Sequence, residues 1–319
     1  METILRTIND YLILQKFLIK RWRDKPILIL NFHQISYEFN PNIDLQTSWT
    51  PLDSFDQTIR FLQANNFQLI SLLEADNIIE SKQKRKKHYA AITFDDGYAS
   101  ILNILPYLEN NKIPVTFFIN TAYLDDKQYN WVDIVNYVLN VADKSEISSE
   151  LFESINNLNK TQNSAEFFKE KEIAEDFAKK IKDWPSRWLT TEQLFGIKNP
   201  LFSIGLHGHE HLKYDIMPDD ICKKNLEKNI EILKQHPNYV PFFAFPFGRW
   251  EARNLSTLSE LGLTPFFYGG GLNYSAGVGY NRIGVSDQLV NFKFLANRSK
   301  ETTIFNKLYA KTKELVIRN

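Results

Sequence analysis

Two adjacent carboxylates raise the first chemical question. Asp95 and Asp96 end the apolar run "HYAAITF" and lead into Gly97. Neighbouring like charges resist burial, so something must hold this pair at the end of what reads as a core strand. The N-cap of a helix explains one aspartate, but not two. A second cluster offers a partner: His207, His209 and His211 supply three of the six histidines of the 319-residue chain. Imidazole nitrogens suit zinc and other divalent transition metals. His207 and His211 are four apart and converge on one ion if their loop turns like a helix. One more ligand, from Asp95 or Asp96, makes a three-point site with open positions. A cation there offsets the repulsion between the carboxylates. The second carboxylate then takes a proton from the water that the ion activates.

Both clusters must be delivered to one rim. "PILILNFHQIS" (26–36) reads as a buried parallel strand, 51–67 as a helix, and 68–75 as a strand turning into a helix. "HYAAITF" (88–94) is a strand, 98–112 a helix with a kink at Pro106, and "IPVTFFIN" (113–120) a strand. Strand–helix alternation predicts a parallel α/β sheet whose C-terminal strand ends form the active-site rim. Residues 121–199 carry only helical patterns and read as a helical insertion after a strand, of the kind that forms lids and specificity loops. Alternation resumes through 200–208, about 218–235, 240–248, 251–262, 264–271 and 280–285, and 299–318 reads as a terminal helix. The expected division is an N-terminal helix (1–25), an α/β unit (26–298) and a C-terminal helix (299–319).

Composition excludes some classes. Lys+Arg and Asp+Glu are both 38, and this neutral balance argues against nucleic-acid binding. The single cysteine, Cys222, permits no disulfide framework and reads as a bystander. "KQKRKK" (82–87) reads as a solvated loop. In residues 1–25, Arg6, Asn9, Asp10, Gln15 and Lys16 interrupt the apolar residues, against a secretory signal or a membrane span. The segment reads as a helix packed on the domain or, alternatively, as one lying on an anionic membrane surface. The expected location is the cytoplasm, with the inner face of the membrane as the variant.

"TFDDG" followed by His-x-x-x-His resembles the polysaccharide deacetylase family, carbohydrate esterase family 4. "ILNFHQIS" is similar to the Tyr-His-x-Val strand of one branch, "PVTFFI" to the strand after the first motif, and "FAFPFG" to Tyr-Pro-Tyr-Gly. The likeness runs from about 26 to 285. It implies a distorted (β/α)7 barrel that removes acetyl groups from N-acetylated sugars. It also implies Asp95 as general base and Asp96, His207 and His211 as ligands of a divalent metal. Zinc comes first, with cobalt, nickel or manganese as alternatives. His209 is implied to be a non-ligand. The family's oxyanion hole uses the metal and a backbone N–H near Tyr98. Pro246 and Gly248 belong to the matched proline motif and are candidate substrate contacts.

Two family parts are missing. Phe245 stands where many members carry a base-orienting arginine, so Arg249 or Arg282 must substitute, or nothing does. No histidine follows His236 to protonate the leaving amine. His88 and His236 belong on the far side of the barrel, and His33 ends the first strand on the rim. His33 is therefore the candidate acid, against a purely structural role. "NWVDIVNYV" (130–138) resembles a Trp-x-Asp segment of some members, so Asp133 is expected to reach the sugar or orient a catalytic group.

The leading expectation is a metal-dependent deacetylase of an N-acetylated glycan or lipid-linked sugar. The alternatives are a catalytically silent glycan-binding barrel, and an O-acetyl esterase or other amidohydrolase on the same machinery.

Overall fold

Short apolar strands bounded by glycine, proline and polar residues alternate with amphipathic helices, and the strands pair in parallel, so the chain returns to the same end between them. A computed structural model describes residues 25–39, 48–81, 85–143, 145, 147–181, 187–269, 272, 273, 275 and 277–285. The expected helices at 1–25 and 299–319 lie outside these, save for Lys25, as does the first half of the basic run at 82–87.

The strands are β1 (Ile27–Phe32), β2 (Gln34–Ser36), β3 (Trp49–Pro51), β4 (Phe67–Leu69), β5 (His88–Phe94), β6 (Val115–Ile119), β7 (Phe202–Leu206), β8 (Tyr239–Ala244), β9 (Thr264–Tyr268) and β10 (Tyr280–Gly284). Strands β1, β10, β9, β8, β7, β6 and β5 are neighbours in that order, and β5 pairs back onto β1. All these pairings are parallel. The result is a closed seven-stranded barrel ringed by helices, the (β/α)7 form. Every residue of β1 is buried, as expected for a strand covered on both faces.

Strand β4 stays outside the ring. It pairs with His88–Ala90 at the start of β5, while β6 pairs with Ile92–Phe94 at its end. One edge of β5 is thus shared by two partners, and its other edge belongs to β1 along its length. Strands β2 and β3 form a separate two-stranded piece.

The helices are α1 (Leu52–Ala64), α2 (Leu72–Glu80), α3 (Leu105–Asn110), α4 (Trp131–Asn140), α5 (Ser149–Lys160), α6 (Ser164–Ala178), α7 (Thr191–Gly196), α8 (Asp219–Leu233) and α9 (Ala252–Glu260). Local signals set their starts. Ser71 and Glu74 form a reciprocal capping box for α2, and the Asn130 side chain accepts the Val132 N–H at the start of α4. Pro106 does not bend a continuous helix. It occupies the first turn of α3, after a separate 3-10 turn at Ala99–Asn103, where its missing N–H costs nothing. In the insertion, Ile134, Val138, Ile155, Leu158, Phe167 and Ala174 are buried in one cluster with barrel residues Phe94, Phe117 and Leu206. The inserted helices therefore share the main core.

Candidate active site

Strand β5 carries its aspartates past the sheet end. The Asp95 N–H still donates to Phe32 O at 2.9 Å, so Asp95 stays in register beside β1. The chain then reverses through left-handed Asp96 (φ 79) and Gly97 (φ 97). A Cβ on Gly97 would sit 3.3 Å from two side-chain atoms of Ile119. Aspartate tolerates this region and glycine favours it.

Strand β7 delivers the histidines to the same rim. Asn120 Nδ2 donates to His207 O at 2.6 Å and to Gly208 O at 3.1 Å. Tyr123 Oη donates to Glu210 O at 2.7 Å, and His209 N to Asn225 Oδ1 at 2.8 Å. These bonds fold the loop back so that the His207 and His211 rings lie 5.0 Å apart. His209 turns elsewhere and meets Thr121 Oγ1 through Nδ1 at 2.9 Å.

Asp96 Oδ1 lies 3.2 Å from His207 Nε2 and 3.3 Å from His211 Nε2. The three residues are buried, and their ligand atoms lie within 4.8 Å of one another. His207 Nδ1 is 2.8 Å from Ala244 O. A carbonyl only accepts, so Nδ1 carries the hydrogen and Nε2 turns a lone pair toward Asp96. Two acceptors at that distance repel unless a proton or a cation joins them. The donor set, two imidazole nitrogens and one carboxylate oxygen, fits a divalent transition metal with open positions. Burial pushes the His211 imidazole down, only partly countered by Asp96, which keeps it neutral and able to ligate. Burial alone would raise the Asp96 carboxyl, but the facing His207 and His211 nitrogens hold it well below the usual range, because a proton shared with either imidazole favours the carboxylate.

Asp95 is held differently. Arg282 Nη1 donates to its Oδ1 at 2.6 Å and Arg282 Nη2 to its Oδ2 at 2.8 Å. Asn31 Nδ2 adds a bond to Oδ2 at 3.0 Å. Arg282 Nη1 also reaches Asn31 Oδ1 at 2.9 Å and Thr93 Oγ1 at 3.2 Å, and its guanidinium carbon stands 5.0 Å above the Phe118 ring. Burial pushes Asp95 up, but the Arg282 charge and hydrogen bonds, with the nearby His207 and His33, together bring it below the ordinary value. Asp95 is thus an anion at neutral pH. Its Oδ2 is 3.9 Å from His207 Nε2, which places it beside the histidine cluster.

Of the two substitute arginines considered from sequence, Arg282 contacts Asp95. Arg249 pairs with Asp215 at 2.7 Å and Gln162 at 2.9 Å. His33 follows β1 on the rim, is partly buried, and bears electrostatically on both aspartates. Tyr98 is buried and bridges Trp188 in antiparallel fashion, with bonds from Leu189 N to Gly97 O and from Ala99 N to Arg187 O. That pattern turns the Tyr98 N–H away from the Trp188 strand. Asp133 has no exposed surface. It accepts from Trp188 Nε1 at 3.0 Å and Tyr98 Oη at 3.4 Å, and pairs with Arg187 at 3.2 Å. Its contacts lie beneath the rim, so it is placed to orient Tyr98 and Trp188 and not to touch a sugar directly. Pro246 is buried at the end of β8, and Gly248 (φ 65) backs onto Tyr268.

A family model described as polysaccharide deacetylase matches residues 82–266, more than half of the chain. The chain belongs to the polysaccharide deacetylase family. A poly-β-1,6-N-acetyl-D-glucosamine N-deacetylase of Staphylococcus aureus (strain MSSA476) is 24% identical over 126 residues, covering 36% of this chain and 43% of that relative. The chain thus spans less than half the length of the curated relatives it matches. Among solved structures, a Streptococcus pyogenes deacetylase, PplD, in complex with acetate is 17% identical with a TM-score of 0.57, over 85% of this chain and 96% of that one. IcaB from Ammonifex degensii is 15% identical with a TM-score of 0.58, over 85% and 97%. A de-N-acetylase from Aggregatibacter actinomycetemcomitans is 13% identical with a TM-score of 0.59, over 84% and 99%. At these identities the likeness establishes the barrel.

Several residues that shape this polysaccharide deacetylase site carry no motif. Asn31 sits inside an apolar strand and Thr93 in the apolar end of another, and a polar residue between apolar neighbours was the available signal in each. Arg187 and Trp188 lie in the insertion between α6 and α7, and only the fold brings them under Tyr98.

Proposed function

We propose that the chain is a metal-dependent hydrolase that removes acetyl groups from N-acetylated sugars of a glycan or lipid-linked precursor. One observation carries this reading. A buried anionic carboxylate, Asp95, is clamped by Arg282 beside a separate Asp96–His207–His211 donor set on one rim. A glycan-binding module has no need of a fixed base next to a ligand cluster.

When bound by Asp96, His207 and His211, a divalent cation, zinc first, supplies Lewis-acid polarisation of an acetyl carbonyl and acidifies water. The residues do the rest. A carboxylate offers about four acceptor sites. Arg282 and Asn31 fill three on Asp95, and the remaining one receives the proton of the attacking water. The Arg282 fork stops the carboxylate from rotating and keeps it ionised between turnovers. The Tyr98 N–H, turned from the Trp188 bridge, is the donor for the developing oxyanion. Asp133 braces it through the Tyr98 side chain. His33 gives the departing amine its proton.

The test is direct. Protein loaded with zinc is incubated with N-acetylglucosamine oligomers, and acetate and free amine are measured together. Equal amounts are expected, with little product from Asp95→Asn. Acetate without amine from an O-acetylated glycan moves the chain to an esterase. Glycan binding without acetate makes it a silent barrel.

A further inference from the structure

The two histidines of the donor set are held unequally. His207 Nδ1 has the Ala244 carbonyl to orient its ring, whereas among the described residues no partner meets His211 Nδ1. A ligating imidazole is normally steered through its second nitrogen. His211 also stands at φ 51, in the left-handed region that strains a residue with a Cβ. Such a conformation persists only where the surroundings enforce it.

The enforcing contact lies two residues on. Lys213 is buried, and its Nζ donates to Leu158 O at 2.9 Å and to Thr161 O at 3.5 Å. Leu158 lies in the last turn of α5, and Thr161 caps it. The last carbonyls of a helix lack intrahelical donors and form the negative end of its dipole. A lysine placed there meets both needs. The same Nζ stands 5.2 Å from the Trp131 ring of α4 and 5.7 Å from the Phe167 ring of α6. One side chain of the histidine loop thus touches α4, α5 and α6 of the insertion. Two more ties join the same parts. Trp131 Nε1 reaches His211 O at 3.4 Å, and Lys171 of α6 pairs with Glu210 at 3.5 Å.

We propose that Lys213 is a positioning residue that clasps the helical insertion to the histidine loop and so holds His211 where it ligates a cation. This inference rests on the metal-dependent reading above and makes the insertion part of the framework of the donor set. The coupling is reciprocal: if α5 firms the site, a cation in the site firms the end of α5.

Two variants and one measurement on wild type test it. Lys213→Met keeps the length of the side chain and removes the donor to α5, while Lys213→Arg keeps a cationic donor. Zinc affinity is read by competition with a chromogenic chelator, beside the Tm of the metal-free protein and the visible spectrum of the cobalt-loaded one. Lys213→Met should weaken zinc binding about tenfold or more and alter the cobalt spectrum, and Lys213→Arg should recover most of the affinity. A lower Tm with wild-type zinc affinity makes Lys213 merely structural and overturns the clasp. So does a loss in Lys213→Arg as large as in Lys213→Met. Hydrogen exchange on wild type needs no variant to fold. Zinc should slow amide exchange across 149–160, and exchange there that is indifferent to zinc also overturns the clasp.

The same experiments separate this claim from the one it rests on. Zinc binding that weakens in Lys213→Met, with no acetate released from an N-acetylglucosamine tetramer by wild type, sinks the deacetylase reading and leaves the clasp standing. Acetate release with zinc binding indifferent to Lys213→Met does the reverse. A wild-type protein that binds no zinc overturns both.

Discussion

Arg282 and Asp95 face each other through two parallel hydrogen bonds of 2.6 and 2.8 Å, both side chains buried. Such a fork requires the planar guanidinium, since lysine offers one point charge. Arg282→Met leaves a buried carboxylate unpaired, which costs about 3–5 kcal/mol. Tm should drop and kcat should fall by about 10²-fold or more. Arg282→Lys should recover part of the stability but little of the turnover. In Arg282→Met with Asp95→Asn, the destabilisation should be smaller than the sum of the single variants. Additive losses would mean that the pair is not energetically coupled.

The ligand set predicts a clean division of phenotypes. His207→Ala, His211→Ala and Asp96→Asn should each lose tightly held metal, read by elemental analysis after exposure to a chelator. Asp95→Asn should keep the metal and lose about 10²–10⁴-fold in turnover. Wild-type metal content in the His207→Ala, His211→Ala double variant would place the site elsewhere.

Some of this was legible beforehand and some could not be. The strand His88–Phe94 can be read residue for residue, because an apolar run stops abruptly at two aspartates and a glycine. The His207–His211 spacing announces convergence in the same way. The choice between Arg249 and Arg282 is different in kind. Arg249 follows one strand and Arg282 lies within another, and only the pairing of β10 with β1 puts Arg282 beside Asp95. Nothing local shows that β4 stays outside the ring, since its three residues look like any short barrel strand. β3, also three residues long, is too short for its periodicity to register. Asp133 has a readable helix position, but its burial under Tyr98 and Trp188 depends on residues more than thirty positions away.

Asp133 gives a pH prediction. Burial pushes its carboxyl up from 3.8 to about 6, against the pull of the Arg187 charge and of the bonds from Trp188 and Arg187. The folded state therefore holds this proton more tightly than the unfolded chain does. Below about pH 4 both states are protonated and the contribution is fully present. It is lost as pH rises through about 6, by an amount on the order of 3 kcal/mol. The Tm of wild type should fall relative to Asp133→Asn between pH 4 and 7. A difference that does not change with pH would show that Asp133 is ionised throughout.

His33 can be tested through the leaving group. An amine must gain a proton to depart, whereas nitrophenolate leaves unaided. His33→Gln should lower kcat on an N-acetylated oligosaccharide by about 10²-fold and barely affect 4-nitrophenyl acetate, with metal content intact. Equal losses on both substrates would assign His33 a structural role.

The chain order of the strands separates two events in time. The histidine cluster and Asp96 come from β7 and β5, both present once about two thirds of the chain has emerged from a ribosome. Arg282 arrives on β10, the last strand to join the ring. In chain order the donor set is thus translated well before the arginine that pins Asp95. On the reading proposed above, β10 is a latch, and the base is fixed only when that strand has closed the ring.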